Sequence, residues 1–435
     1  MARPFASELW RNGAFVRIWS AATISIFGSL VSGIALPFVA ILILDAGPTE
    51  LALLRSLDLG IGLAVGLVAG VWVDRLRRRR VLVWADLGRA VLLGSIPAAW
   101  LLGVLAFWQL LVVTAAAAIL TAFFDAADNA YLPTVVERER IVEANAALRA
   151  SGSAAEFTAF GIGGVLVQVF SAPLAILLDA VSFLGSALLL ATIRRPEAAA
   201  PPPGDRAPVV EEIREGVRLV ASDPVLRAFT LAEMALGGLW GFFGATWLLF
   251  ATEELGLGPA AIGIVAGVGG AAAFLGAVMA ERSVRRFGLG PAAIGALVLT
   301  AVGNALIPIA PAGLPLVALM CLVGQQLIGD SAATVFEVTA VSVRQVRVRD
   351  RAQGRVASTV RVASGAAQLA TTLAGGLIGA AIGLRAAMII GPIAGLVGAA
   401  ILWASPVRRL QEIDVAVPNP IDVVAEVTRD EPLGG

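Results

Sequence analysis

Several carboxylates fall inside long apolar runs, where an ionised group costs about 2.5–3.5 kcal/mol on insertion scales and is kept for a partner, a cavity or a proton. Glu156 stands between Ala155 and Phe157 with no basic residue one helical turn away. Glu233 is similar but nearer the end of its run, and Asp58 lies one turn from Arg55. A carboxylate in a low-dielectric site can take up and release protons near neutrality. The chain has no histidine, so carboxylates must carry any proton coupling: Glu156 first, then Glu233 and Asp58. Asp58 with Arg55 also fits a structural i, i+3 pair near the outer surface. Asp86 and Arg89 repeat that spacing in the first turns of the next run, where they read as a brace for the adjoining loop. Asp179 and Glu337 read as partners of arginines such as Arg361 across an interface.

A second concentration of charge lies between two apolar runs: Gly70, Asp74, Arg75, Arg77, Arg78, Arg79 and Arg80. These residues fix which side of a bilayer the loop faces, and they supply charges able to latch one group of helices to another. Asp125 and Asp128 end a later run on the same side, within reach of the arginines. Trp240, Phe243 and Trp247 cluster in one run and fit either the wall of a substrate cavity or packing between helices.

The elements that position these residues are membrane helices. Apolar residues make up 58% of the chain and mean hydropathy is +0.87, beyond the range of soluble domains. A bilayer core takes about 20 apolar helical residues to cross. Twelve such windows fall at 18–44, 51–73, 82–106, 108–131, 148–170, 174–193, 226–251, 260–280, 291–310, 315–340, 356–381 and 386–404. The fold class is therefore an all-α polytopic membrane protein with twelve transmembrane helices. The single Cys321 lies inside a span, which excludes a disulfide within the chain. Met1 to Ser20 lacks the pattern of a cleaved signal; Leu9, Trp10, Phe15 and Ile18 suggest an amphipathic lead-in on the membrane surface or an ordinary start to the first span.

All 32 basic residues are arginine. All but Arg55, Arg89, Arg361 and Arg385 fall on the side that carries both ends of the chain, and the opposite loops have none. Arginine excess marks the cytoplasm, so both termini are expected there and the protein in a bacterial plasma membrane. The division expected is a cytoplasmic segment 1–17, a six-helix bundle 18–193, a cytoplasmic linker 194–224 with a surface helix carrying Ile213, Val217 and Val220 on one face, a second bundle 225–404 and a tail 405–435. The halves echo each other. Gly70, Asp74, Arg75, Arg78 and Arg79 return as Gly276, Glu281, Arg282, Arg285 and Arg286; Asp125 returns as Asp330, and Gly163-Gly164 as Gly375-Gly376. Two similarly oriented halves with a path between them are one repeat plan of secondary transporters.

Four stretches resemble the major facilitator superfamily, in its enterobactin-exporter-like and macrolide-efflux-like branch. They are Phe15, Arg17, Trp19, Ser25, Gly28, Ala35 and Pro37 in span one; the Gly70–Arg80 loop; Asp125, Asn129, Leu132, Pro133, Glu143 and Asn145 after span four; and Glu215, Gly216, Asp223, Pro224 and Arg227 before span seven. Arg77 occupies a position that is often glycine in the superfamily loop, span five lacks the family's proline beside Gly161, Gly163 and Gly164, and span four lacks the arginine of many antiporters. The resemblance implies two rocking bundles, export by alternating access and proton antiport. It also implies a cytoplasmic gate of Gly70, Asp74, Arg75, Arg78, Arg79, Asp125 and Asp128, with Glu281, Arg285 and Arg286 in the second half, closed when the protein faces outward. The expected cargo is a small amphipathic molecule such as a drug, siderophore or lipid-like compound. Protons and the lipid bilayer are the other expected partners, with no nucleic acid, no cofactor, no metal and a monomeric state. Uptake or uncoupled transport is the alternative, and a transporter-like sensor or scaffold the alternative of another class. An enzyme is disfavoured, since without histidine no serine–histidine pair can form and no phosphate-binding loop is present.

Overall fold

The computed structural model describes residues 8–73, 75–194 and 209–412; Asp74, the ends of the chain and the proline-rich part of the linker lie outside them. All regular elements among the described residues are helical, and twelve helices are long and apolar enough to cross a bilayer. In chain order they are α1 (Gly13–Leu44), α2 (Pro48–Val73), α3 (Arg78–Leu101), α4 (Phe107–Val135), α5 (Ile141–Phe170) and α6 (Ala172–Ala191). The linker helix α7 (Val209–Ser222) follows, then α8 (Pro224–Leu249), α9 (Pro259–Phe287), α10 (Leu289–Asn304), α11 (Pro315–Arg347), α12 (Asp350–Ile382) and α13 (Leu384–Ala404). A π-turn, Gln326–Asp330, interrupts α11, and another, Phe250–Glu254, ends α8.

The hydropathy windows locate the apolar middle of each helix but stop short of the end of several on the side of the termini. There α1 begins at Gly13, α5 at Ile141, and α9 and α11 run on to Phe287 and Arg347. In α1, α9 and α11 these extra turns carry the arginines that end the apolar windows, and a helix has no reason to stop where the lipid does. Exposed Trp72, Trp84 and Trp403 mark that border and Trp108 the other, as interfacial tryptophans do.

The lead-in departs from expectation. Asn12 caps α1 by accepting from the Ala14 amide at 3.1 Å, and its own side-chain amide donates to the Val135 carbonyl at 3.0 Å. Leu9, Phe15 and Ile18 are buried against Tyr131, Leu132 and Val135. The segment packs into protein and not onto the membrane surface, because α4 ends with an apolar turn that needs covering.

Within the first six spans α1 packs on α5 and α6, and α3 on α4 and α6; within the last six α8 packs on α12 and α13, and α9 on α11. The two groups meet along α5 with α9 and α2 with α12. Equivalent glycines make both seams. Gly163 faces Val31 of α1 and Gly375 faces Phe242 of α8, whereas Gly164 faces Pro259 and Gly263 at the start of α9 and Gly376 faces Pro48 and Ala52 at the start of α2. A Cβ on Gly164 would stand 2.8 Å from the Gly263 Cα, and one on Gly376 2.8 Å from the Pro48 carbonyl oxygen, so only glycine permits these approaches. Both seams lie away from the termini. Toward the termini Gly66, on the cavity wall, and Gly70 and Gly354 have nothing within 4 Å of a built Cβ.

The turn after each glycine-rich helix also repeats. Gly383 between α12 and α13 has φ 98° and ψ 153°, and Ser171 between α5 and α6 has φ 89° and ψ 155°. That region belongs to glycine, and another residue there costs about 1–3 kcal/mol. The buried Ser171 hydroxyl has no hydrogen-bond partner to offset the strain. Ser171→Gly is therefore expected to stabilise the protein by about 1 kcal/mol, read as a raised thermal midpoint of the purified protein.

Candidate functional site

A cavity of about 710 Å³ lies between the two groups of helices, within the size range of small-molecule sites. Leu36, Leu51, Leu54, Leu93, Val113 and Leu248 give it apolar surface, and Asp58, Asp125, Asp179, Arg55, Arg89 and Arg361 give it charge. Most of the charge lies on the wall made by the first six spans.

Arg89 organises that wall. It sits three turns into α3, roughly 16 Å from the helix start at 1.5 Å per residue, and is 4% exposed. Its guanidinium pairs with buried Asp86 on its own helix and lies between two rings, 4.3 Å from Phe124 and 4.2 Å from Phe183. Cation–π contacts of this kind gain strength where water is excluded. The other Asp86 oxygen accepts from the Ser186 hydroxyl at 2.6 Å, and buried Asp179 accepts from Ser182 at 3.1 Å. Asp179, Ser182 and Ser186 share one face of α6 by their spacing. Gly28 of α1 makes room for them, since a Cβ there would clash with Asp179 and Ser182. Asp125 completes the wall from α4. Among the described residues, Arg89 faces the charges of three carboxylates, Asp86, Asp125 and Asp179.

Asp86 and Arg89 thus form the interior of the first bundle and do not brace the loop. Asp179 belongs to the same cluster and not to Arg361. Neither Asp125 nor Asp128 is ion-paired with Arg75–Arg80 among the described residues. Asp125 turns toward Arg89, and Asp128 feels Asp125 and Asp86 as like charges. Arg78 donates to the Ala130 carbonyl of α4 at 2.8 Å, and Arg79 donates to the Ala191 and Ile193 carbonyls after α6. These arginines tie down helix ends, where unpaired carbonyls and the helix dipole attract cations. Gly70 and Arg75 are exposed, and Asp74 lies outside the described residues.

The other expected site residues are placed as follows. Asp58 pairs with Arg55 at 2.9 Å and both face the cavity. Glu156 is exposed, with no apolar burial around it. Its neighbour Phe157 packs against Gly267 and Gly270 of α9, and no residue of α5 lines the cavity. Glu233 pairs with Arg344 at 3.6 Å, one rung from the Asp223–Arg347 pair at 3.0 Å. Glu337 is exposed on α11 beside Glu233 and away from Arg361. Glu281 pairs with Arg285 at 3.3 Å in a solvated i, i+4 contact, and Arg286 rests on Phe287. Phe243 is buried and packs near Gly391, and Trp240 and Trp247 pack against the core. The face that α8 gives to the cavity is Gly244, Ala245 and Leu248, while Phe243 turns toward Gly391 of α13.

A family model described as Major Facilitator Superfamily matches residues 18–336. The chain belongs to the major facilitator superfamily. The uncharacterized MFS-type transporter YkuC of Bacillus subtilis (strain 168) is 26% identical over 268 residues, 58% of this chain and 59% of that one. The multidrug efflux pump Tap of Mycolicibacterium fortuitum is 31% identical over 189 residues, 41% of this chain and 45% of that one. The chain thus matches about half of the length of these curated relatives. A bacterial homologue of the iron transporter ferroportin, 20% identical, has the same fold. Its inward-facing form aligns with a TM-score of 0.67 over 89% of this chain and 98% of that one. Its outward-facing form gives 0.57 over 90% and 98%. This major facilitator is thus a multi-pass membrane protein of a transporter family, and its relatives are transporters.

Proposed function

We propose that this major facilitator exports a small amphipathic molecule across a bacterial plasma membrane by alternating access, in exchange for protons. The observation that carries this reading is the charged wall around Arg89 facing an otherwise apolar cavity. One guanidinium balances one carboxylate; the remaining acids at membrane depth call for protons or a cationic group on the cargo. Asp125 is the carboxylate best placed to exchange one for the other, since it touches both the cavity and the field of Arg89. It takes the role first expected of Glu156, Glu233 and Asp58. We read the cavity as opening on the arginine-rich side, where Gly66 and Gly70 have open space beside them, and the positive-inside rule assigns that side to the cytoplasm. On that reading cargo enters from the cytoplasm, and the seams at Gly164 and Gly376 must part to release it. Similarity to the efflux pump Tap supports export of drug-like compounds.

The test is transport of Hoechst 33342 by the full chain in proteoliposomes with an imposed pH gradient. Dye is expected to move against the proton gradient, to stop when an ionophore collapses it, and to lose that dependence in Asp125→Asn. Dye movement indifferent to the gradient in the unmodified protein would remove proton antiport from the reading.

A further inference from the structure

We propose that Asp330, in the middle of α11, is a second proton-binding site, built into the C-terminal group of helices and separate from the wall around Arg89. The π-turn Gln326–Asp330 creates it. In an α-helix, side chains five apart point in different directions, but a π-turn brings i and i+5 onto one face. Gln325 Nε2 accordingly donates to Asp330 Oδ1 at 2.9 Å and to Asn304 Oδ1 of α10 at 3.4 Å. The rest of the shell is neutral and mutually satisfied: Asn304 donates to the Thr300 carbonyl at 2.9 Å, and Gln326 donates to the Val265 carbonyl of α9 at 3.0 Å. Gln325 and Asn304 are buried, 3% and 1% exposed. Gly269 leaves the space beside Asp330 Oδ2, where a Cβ would stand at 3.3 Å.

No base on the packed helices balances this acid. α9 carries no ionisable residue between Pro259 and Ala280, and α10 carries none at all. On α11 itself Cys321, one turn before Gln325, is a neutral thiol and no base, and Arg344 and Arg347 lie near the far end, held by Glu233 and Asp223. The charged neighbour on the same face is Glu337, two turns on, another carboxylate. Asp330 is half-buried, and on this proposal a carboxylate set among neutral amides with no base beside it is neutralised by a proton.

A path leads to it. Asp330, Thr334 and Glu337 lie on one face at i, i+4 and i+7. Thr334 donates to the Asp330 carbonyl at 2.9 Å, and Glu337 is exposed toward the side of the termini. On this proposal Glu337 is the carboxylate that passes protons to Asp330 from that side, and the Thr334 bond, made to the backbone, only fixes the helix between them.

The test is infrared titration of the full chain in lipid across the pH range, which needs no substrate. Asp330→Asn is expected to remove one protonated-carboxyl C=O band. Gln325→Leu is expected to keep that band and move it to higher wavenumber, because the amide donor to Oδ1 is gone; this variant decides the matter should Asp330→Asn not accumulate. Glu337→Gln is expected to keep the band and slow its exchange with deuterium. Spectra of Asp330→Asn and Gln325→Leu that superimpose on the unmodified protein would overturn the proposal. It stands or falls apart from the antiport reading, since Asp125→Asn leaves the Asp330 band in place and dye transport is not measured.

Discussion

Replacing Arg89 by alanine is expected to abolish transport and to destabilise the protein by about 3–5 kcal/mol, the usual cost of removing one partner from a buried ion pair. The loss is large because Arg89 has several tasks at once. It is the counter-charge for Asp86 and Asp179 inside the first bundle, it fills the space between Phe124 and Phe183, and it sets the field at Asp125 on the cavity wall. Lysine does not replace it, since an ammonium on a flexible stem neither stacks between two rings nor forks toward several oxygens. Removing the carboxylate as well, in Asp86→Ala with Arg89→Ala, is expected to restore part of the stability and none of the transport. Thermal unfolding of the purified protein, followed by tryptophan fluorescence, separates the two effects from dye movement. A single Arg89→Ala variant with an unchanged midpoint would show that the pair contributes nothing net.

Substitution of valine for Gly164 is expected to shift the protein toward forms in which the face away from the termini is open. The backbone of α5 touches that of α9 at this point, and side chains forced into such contacts cost about 1–3 kcal/mol. That strain exists only while the seam is closed, so the open form gains by roughly tenfold for each 1.4 kcal/mol. Gly376→Val acts at the matching seam of α12 with α2 and is expected to do the same. The measurement is labelling of a cysteine placed at Ala118, on the cavity wall, by a membrane-impermeant maleimide from the side away from the termini, with Cys321→Ser as background. Faster labelling in both glycine variants is the expected result, together with slower dye transport. Unchanged labelling would mean that the seams do not gate the cavity.

The twelve crossings were legible in the sequence because hydropathy registers burial in lipid and in protein alike. That same insensitivity hid the site. When both faces of a helix are apolar, periodicity cannot say which residues look inward. Trp240, Phe243 and Trp247 therefore fitted either the cavity wall or packing between helices, and it is Gly244, Ala245 and Leu248 that α8 presents to the cavity. The depth of Asp86 and Arg89 was misjudged because a window starting at 82 hides a helix that begins at Arg78. Their partners come from α6, and no local pattern announces a contact between Asp86 and Ser186. A usable signal did exist in the matching turns of polar residues: Asp86 with Arg89, Thr121 with Asp125 and Asp128, and Asp179 with Ser182 and Ser186, each a polar stripe inside an apolar helix. The π-turn in α11 was beyond such patterns, since it resets the helical phase between Gln325 and Asp330. The glycine pairs of the internal repeat, by contrast, were visible at once, and each proved to face equivalent neighbours in both halves.

Those two glycine pairs have a mechanical consequence. Gly164 against the start of α9 and Gly376 against the start of α2 are images of one another, so neither contact can open while the other stays shut without twisting a whole bundle. In the proposed export cycle the two halves move as a pair of levers sharing one fulcrum, with a single coordinate of travel. A proton bound in one half and a cargo molecule bound between the halves then bear on the same displacement, and need no chain of contacts between them in order to influence each other.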